Sequence, residues 1–305
     1  LVQQFLPDAN LTLDSTGSLT AIQSNKLDIT SSTGLFHITG NADWRLSPMF
    51  EAKATGVDFN PAILNPALPG SLNFATTLKG KIAPSANLVT IELNKISGQL
   101  RQHPVAAMGT LALQGEKLKI SGLQIESGNN QLAINGQIDK TQGKLTLSVD
   151  MPNMAALWPG LAGSLEGGGT ISGGWGNPAV NLDLNGKGLV LAEHKIRQLN
   201  LTADYHPENN VPSTLDLDIA EIDSAGMHVD GVTLIGKGAL KRHGFALAIH
   251  SPYAELTASL GGNWNKPIWR GTVQKLEITE TRGRSWALAK PAPLRIEQKT
   301  NGLDI

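Results

Sequence analysis

The sequence predicts an all-β protein, an elongated, curled antiparallel sheet of roughly 20 strands with a few short helices. Three observations carry this. Apolar and polar residues alternate with period two through most of the chain, most clearly over 144–150, where Leu145, Leu147 and Val149 lie on one face and Thr146, Ser148 and Asp150 on the other. Aromatic residues are only 5% of a 305-residue chain with 33 glycines. Aromatics supply much of the buried area of compact cores, so their scarcity implies a thin aliphatic interior. Finally, residues 58–80 recur 93 positions later as 151–173, with 10 identities in 23 ungapped positions, the mark of a repeat architecture.

Taken in order, the first strands are Leu11/Leu13, Leu27/Ile29 and Phe36/Ile38, with Gly, Asn and Ser between them. In each copy of the repeat Asn60 or Asn153 can cap a short helical turn, near 60–68 and 153–158, before a Gly-Ser-Leu starts the next strand. Alternation then sets Val89/Ile91/Leu93, Leu111/Leu113, Leu118/Ile120, Leu132/Ile134 and Leu145/Leu147/Val149 on one face. It continues through Leu182/Leu184, Leu215/Leu217/Ile219, Phe245/Leu247/Ile249 and Leu256/Ala258/Leu260. A Gly…Trp…Pro turn appears three times, at Trp44, Trp175 and Trp264, each leading into another strand. The whole of 1–305 therefore reads as one continuous repetitive segment, with repeat-like units at approximately 34–126 and 127–223 and a partial unit at 224–305. Strands with one apolar face must cover it. A membrane barrel would need aromatic girdles, and six Trp and two Tyr are scattered rather than banded. A sheet curled into a trough, apolar inside and polar outside, fits better.

The formal net charge is −1 with no basic cluster suited to a phosphate backbone, so nucleic acid is not an expected partner. The absence of cysteine excludes thiol chemistry and cysteine metal sites. No run approaches the roughly 18 apolar residues of a membrane-spanning helix. The chain starts at Leu1 without a signal segment and is expected to be part of a longer protein. Seven histidines, at 37, 103, 194, 206, 228, 243 and 250, sit singly, without metal-ligand spacing. Residues 231–238 nearly match a phosphate loop, but Gly238 stands where Ser or Thr would hold a cation, and the flanks read as strands. The run Gly167-Gly168-Gly169 misses the dinucleotide spacing at Ser172, so close strand approach explains it better. Gly163-Ser164 lacks the nucleophile elbow. Asp216, Asp218, Glu221 and Asp223 alternate outward as solvated charges. No catalytic residue, metal site or cofactor is expected; the protein is not read as an enzyme.

Two stretches carry a family resemblance. The first runs Asp150-Met151-Pro152-Asn153-Met154-Ala155-Ala156-Leu157-Trp158-Pro159-Gly160-Leu161-Ala162-Gly163-Ser164-Leu165 and is followed by Gly-rich strands and the Trp175 turn. The second is Trp269-Arg270-Gly271-Thr272-Val273-Gln274-Lys275-Leu276-Glu277-Ile278, with Ser285-Trp286-Ala287-Leu288 and Pro291-Ala292-Pro293-Leu294. Together they resemble the TamB family of AsmA-like proteins of Gram-negative bacteria. The resemblance implies an inner-membrane-anchored protein with a β-rich periplasmic body, a hydrophobic groove and a part in phospholipid transport between the membranes. It also implies partnership with the outer-membrane barrel TamA, through regions outside this segment.

The expected function is accordingly a conduit for phospholipid acyl chains. The candidate lining is Ile91, Leu93, Leu111, Leu113, Leu132, Ile134, Leu145, Leu147, Val149, Leu182, Leu184, Leu215, Leu217, Ile219, Phe245, Leu247, Ile249, Leu256 and Leu260. Two alternatives share the same pattern: a chaperone-like scaffold that templates outer-membrane proteins by β-augmentation, and a structural solenoid packed with its own side chains. Alternation says which face is apolar and leaves open whether that face is filled.

Overall fold

The computed structural model describes residues 8–299 and 302–304, apart from 46, 84–86, 209 and 266. Among the described residues the chain is all-β, with 21 strands and two single turns of 3-10 helix, Pro61–Ile63 and Met154–Ala156. The strands fall into two compact units: Leu1–Pro159 with Gly173–Gly176, and Gly160–Ser172 with Asn177–Ile305.

The first unit holds β1 (Asn10–Gly17), β2 (Ala21–Ser31), β3 (Gly34–Asp43), β4 (Met49–Phe59) and β5 (Gly70–Lys81). It continues with β6 (Leu88–Leu100), β7 (His103–Gln114), β8 (Lys117–Ser127), β9 (Asn130–Ile138) and β10 (Gly143–Met151). Each strand pairs antiparallel with the next. The second unit holds β11 (Leu161–Ser172), β12 (Ala179–Leu191), β13 (His194–Tyr205), β14 (Ser213–Ser224), β15 (Met227–Ala239) and β16 (Arg242–His250). It ends with β17 (Ala254–Asn265), β18 (Ile268–Glu280), β19 (Ser285–Ala287), β20 (Ala292–Lys299) and β21 (Gly302–Asp304). The same neighbour-to-neighbour order runs as far as β18. There β19 pairs with residues 277–279, β20 pairs with 268–273, and β21 continues from β20. In neither unit does a described pairing join the first strand to the last, so each sheet is open.

Short loops make this meander possible. Arg101 and Gln102 (φ 51° and 67°) join Leu100 to His103, and Ala225–Gly226 (φ 48° and 78°) join Ser224 to Met227; two successive positive-φ residues match the twist of a two-residue hairpin. Register shifts cross the first unit from strand to strand, at 56/59, 75/76, 93/96, 108/110 and 120/123. A bulged strand bends and twists more than a regular one, so a row of them curves the sheet. One bulge is stabilised by a side chain, since Asn135 Oδ1 accepts from the Gly122 N–H at 3.1 Å while Gly122 takes φ 57°.

The three Gly…Trp…Pro turns do one job. The Trp44 N–H donates to the Thr20 carbonyl, Trp175 to Asp139 and Trp264 to Leu240, so each ties a strand end to the turn of the preceding hairpin. The Trp44 indole also donates to the Leu19 carbonyl (3.0 Å) and that of Trp175 to Glu116 (2.9 Å). Lys266 of the third turn lies outside the described residues.

Both repeat copies fold as strand, 3-10 turn, strand, but the turns are shorter than the helical segments expected near 60–68 and 153–158. Asn60 caps its turn as expected, its Oδ1 accepting from the Ala62 N–H at 3.1 Å. Asn153 does not: its side chain makes no cap bond. Instead the buried Asn130 side chain takes both backbone groups of residue 153. Its Nδ2 donates to the Asn153 and Ser127 carbonyls at 2.8 Å each, and its Oδ1 accepts from the Asn153 N–H at 2.9 Å. With its backbone held from outside, the second turn needs no cap of its own.

Candidate functional site

Cross-strand partners share a face of a sheet, so the registers decide which side chains belong together. In the first unit, Leu147 faces Ile134, and Val149 faces Leu132. Leu132 and Ile134 meet Ile125 and Leu123, Leu111 meets Ile120, Leu113 meets Leu118, and Ile91 meets Leu111. The same face runs on through Leu78, Ala52, Ile38, Leu27 and Leu13 to the first strand. In the second unit Leu184 faces Leu201, Leu201 faces Leu217, Leu217 faces Leu234, Leu234 faces Leu247 and Leu247 faces Ala258. Parallel rows pass through Ile219, Val232, Ile249, Leu256 and Ile278, and through Leu215, Gly236, Phe245, Leu260 and Val273. All nineteen sequence-predicted residues lie on the apolar face of their own unit.

That face is not sealed. Among the described residues eight hydrophobic side chains other than proline are buried, among them Ile138 at 2 % and Val149 at 8 % exposure, while Leu113 is 45 % exposed. Most of the predicted set is half-buried, Val149 being buried and Ile91 and Leu113 exposed. Four aromatic rings lie against glycines of an adjacent strand or of their own. Phe74 packs over Gly56, Phe50 over Gly80, Phe245 over Gly236, and Trp269 over Gly262 and Gly271, each ring lying where a Cβ would sit. Glycine there lets a ring lie along the sheet instead of projecting from it. Phe36, Phe59 and Phe74 form an edge-packed cluster with centroids 5.7–6.3 Å apart on this face of the first unit. In the second unit, side chains contributed by β13 through β18 and by β20 enclose an apolar concavity of about 590 Å³, which shows the sheet curling around its apolar side there.

The opposite face is polar and laced with ion pairs. Lys79 Nζ meets Glu92 at 2.9 Å, which raises the lysine's pKa, and Lys275 meets Glu277 at 2.8 Å. The Arg45 guanidinium holds the Asp43 carboxyl down to about 2. His228 sits between Asp223 (2.6 Å) and Asp230 (3.2 Å), and the hydrogen bond to Asp223 raises its pKa. Among the described residues no three His, Asp or Glu side chains converge as metal ligands. The phosphate-loop-like run 231–238 is extended throughout as part of β15. Gly167 and Gly169 stand where a Cβ would come within 2.0 Å and 2.2 Å of carbonyls on β12, so close strand approach accounts for the glycine run.

In each unit an aliphatic face is backed by a charged one, and the sequence has relatives. The family model described as TamB, N-terminal domain matches residues 1–305. The chain belongs to the TamB family. It is 23% identical over 280 residues, 90% of this chain and 21% of the relative, to the translocation and assembly module subunit TamB of Haemophilus influenzae. The chain thus spans about a fifth of the length of the curated relative it matches. No solved structure matches it. For this TamB-family segment the sequence reading missed part of the apolar face: Leu199, Leu201 and Ala203 of β13, Val232 and Leu234 of β15, and the phenylalanines of β3 to β5. Alternation at 199–203 was available as a signal. The Phe-on-Gly pairs were not, because they join residues 9 to 30 positions apart on different strands.

Proposed function

We propose that the chain is a section of the periplasmic body of a TamB protein, and that its apolar sheet face carries phospholipid acyl chains between the inner and outer membranes. The supporting observation is the half-buried state of that face: strand after strand contributes aliphatic side chains, yet few of them are buried. A solenoid filled by its own side chains would bury them. Aliphatic surface left facing water is costly, and a bound acyl chain gains about 0.8 kcal/mol for every CH₂ it removes from water. A wall of similar Leu, Ile and Val residues offers nearly equal gain at each step, so a chain can slide without a deep trap. No residue needs to act as acid, base or nucleophile. In this reading TamA is met by parts of the full-length protein outside this segment.

Photocrosslinking groups at 145, 147, 182 and 184, and at 146 and 148 as controls, test the proposal in cells. Lipid adducts are expected at the first four positions and not at the controls. Adducts at 146 and 148 alone would mean the faces are reversed, and protein adducts without lipid would favour a scaffold for outer-membrane protein assembly.

A further inference from the structure

We propose that the second unit holds one anionic lipid at a defined position, with its acyl chain in the apolar concavity and its phosphate at Lys237, Lys241 and Arg242. The proposal rests on the reading of the apolar face as an acyl-chain surface, and adds to it a stopping point selective for charge. Elsewhere that face is open, whereas here the sheet curls round a chamber of about 590 Å³, within the range of ligand pockets. Trp264, Trp269, Tyr205 and Phe245 are among its walls.

Two polar side chains deep in the lining, Trp269 and His243, are bonded to each other. The Trp269 indole N–H donates to His243 Nε2 at 2.7 Å, and His243 Nδ1 lies 3.1 Å from the Ala239 carbonyl. Since a carbonyl only accepts, Nδ1 carries the proton and Nε2 is free to accept from the indole. The interior is therefore suited to a hydrocarbon chain.

At the β15–β16 hairpin end of the same strands a second concavity, about 520 Å³, shares Lys237, His243 and Leu260 with the chamber and adds Lys241 and Arg242. These three cations fall within six residues of a chain whose formal net charge is −1. All three are exposed, and among the described residues none pairs with a carboxylate, whereas Lys79, Arg197 and Lys275 on polar faces elsewhere do. Gly244 and Gly261 contribute no side chain to the floor between them. An apolar chamber adjoining unpaired cations is complementary to an acyl chain that ends in a phosphate.

The test uses the 305-residue chain with fluorescent phosphatidic acid and phosphatidylcholine carrying the same acyl chains, and with inorganic phosphate as competitor. The chain is expected to bind the anionic lipid roughly tenfold more tightly. The triple variant K237Q/K241Q/R242Q, altered only at exposed positions, is expected to lose that preference while keeping its affinity for phosphatidylcholine and its melting temperature. Failure of the unaltered chain to bind either lipid would overturn the acyl-chain reading, and this proposal with it. Binding without preference, or a preference that survives in the triple variant, would overturn this proposal alone. So would inorganic phosphate that binds at the cations without weakening lipid binding, since the cations would then be an ion site unconnected to the chamber.

Discussion

Leu147 and Val149 share a face of β10 but not an environment. Leu147 is half-buried and faces Ile134, whereas Val149 is 8 % exposed. A carboxylate at Leu147, or at the similarly placed Leu184, can turn towards water, so Leu147→Asp and Leu184→Asp are expected to cost no more than about 1–2 kcal/mol of stability. At Val149 the carboxylate would be desolvated without a partner, and Val149→Asp is expected to cost about 3 kcal/mol or more. Thr146→Asp and Ser148→Asp, on the exposed polar side, should leave the melting temperature within error. Denaturant unfolding of the five variants checks this ordering. Equal losses at 147, 149 and 184 would mean that the face is packed. The sequence treats these three positions alike, because alternation reports the side of the sheet and not the depth beneath its neighbours.

Among the elements, the two copies of the repeat show how one local sequence can be held in two ways. Asn60 Oδ1 accepts from the Ala62 and Gly70 N–H groups, at 3.1 Å and 3.3 Å, and so links a turn to the start of the next strand. Asn153 has the same place in the repeat and neither contact, its backbone being held by Asn130 from 23 residues away. Asn60→Ala is therefore expected to destabilise by about 1 kcal/mol, and Asn153→Ala to be nearly silent. Asn130→Ala, which strands buried backbone groups, should be worse than either, at about 2–3 kcal/mol. Thermal unfolding of the three variants decides this; a loss at Asn153→Ala equal to that at Asn60→Ala would show that the cap operates in both copies. The three tryptophan turns, by contrast, agree with one another, because each donates its backbone N–H to the turn of an earlier hairpin.

For the whole molecule, the conduction proposed above has a signature that a set of separate binding sites would lack: if both units serve one path, a block in either stops the flow, and a second block adds nothing. In the full-length protein Leu147→Asp in the first unit and Leu184→Asp in the second are each expected to lower lipid transfer between the membranes, with the double variant no worse than the weaker single one. Losses that multiply would indicate two independent sites. Transfer of labelled phospholipid in cells expressing each variant provides the measurement.

Strand positions and the apolar face could be read from the sequence, because period-two alternation at Leu145, Leu147 and Val149 or at Leu215, Leu217 and Ile219 is a local property of the chain. The family could also be read there, from the segments around Asn153 and Trp269. What only the tertiary structure decided depends on residues far apart. The bulges at 93/96 and 120/123 that bend the sheet, the rings of Phe74 and Trp269 lying over glycines on adjacent strands, and Asn130 holding residue 153 are set by register. How far the apolar face is covered is decided there too, since alternation marks the side that avoids water, and only the arrangement of every strand determines what lies over it.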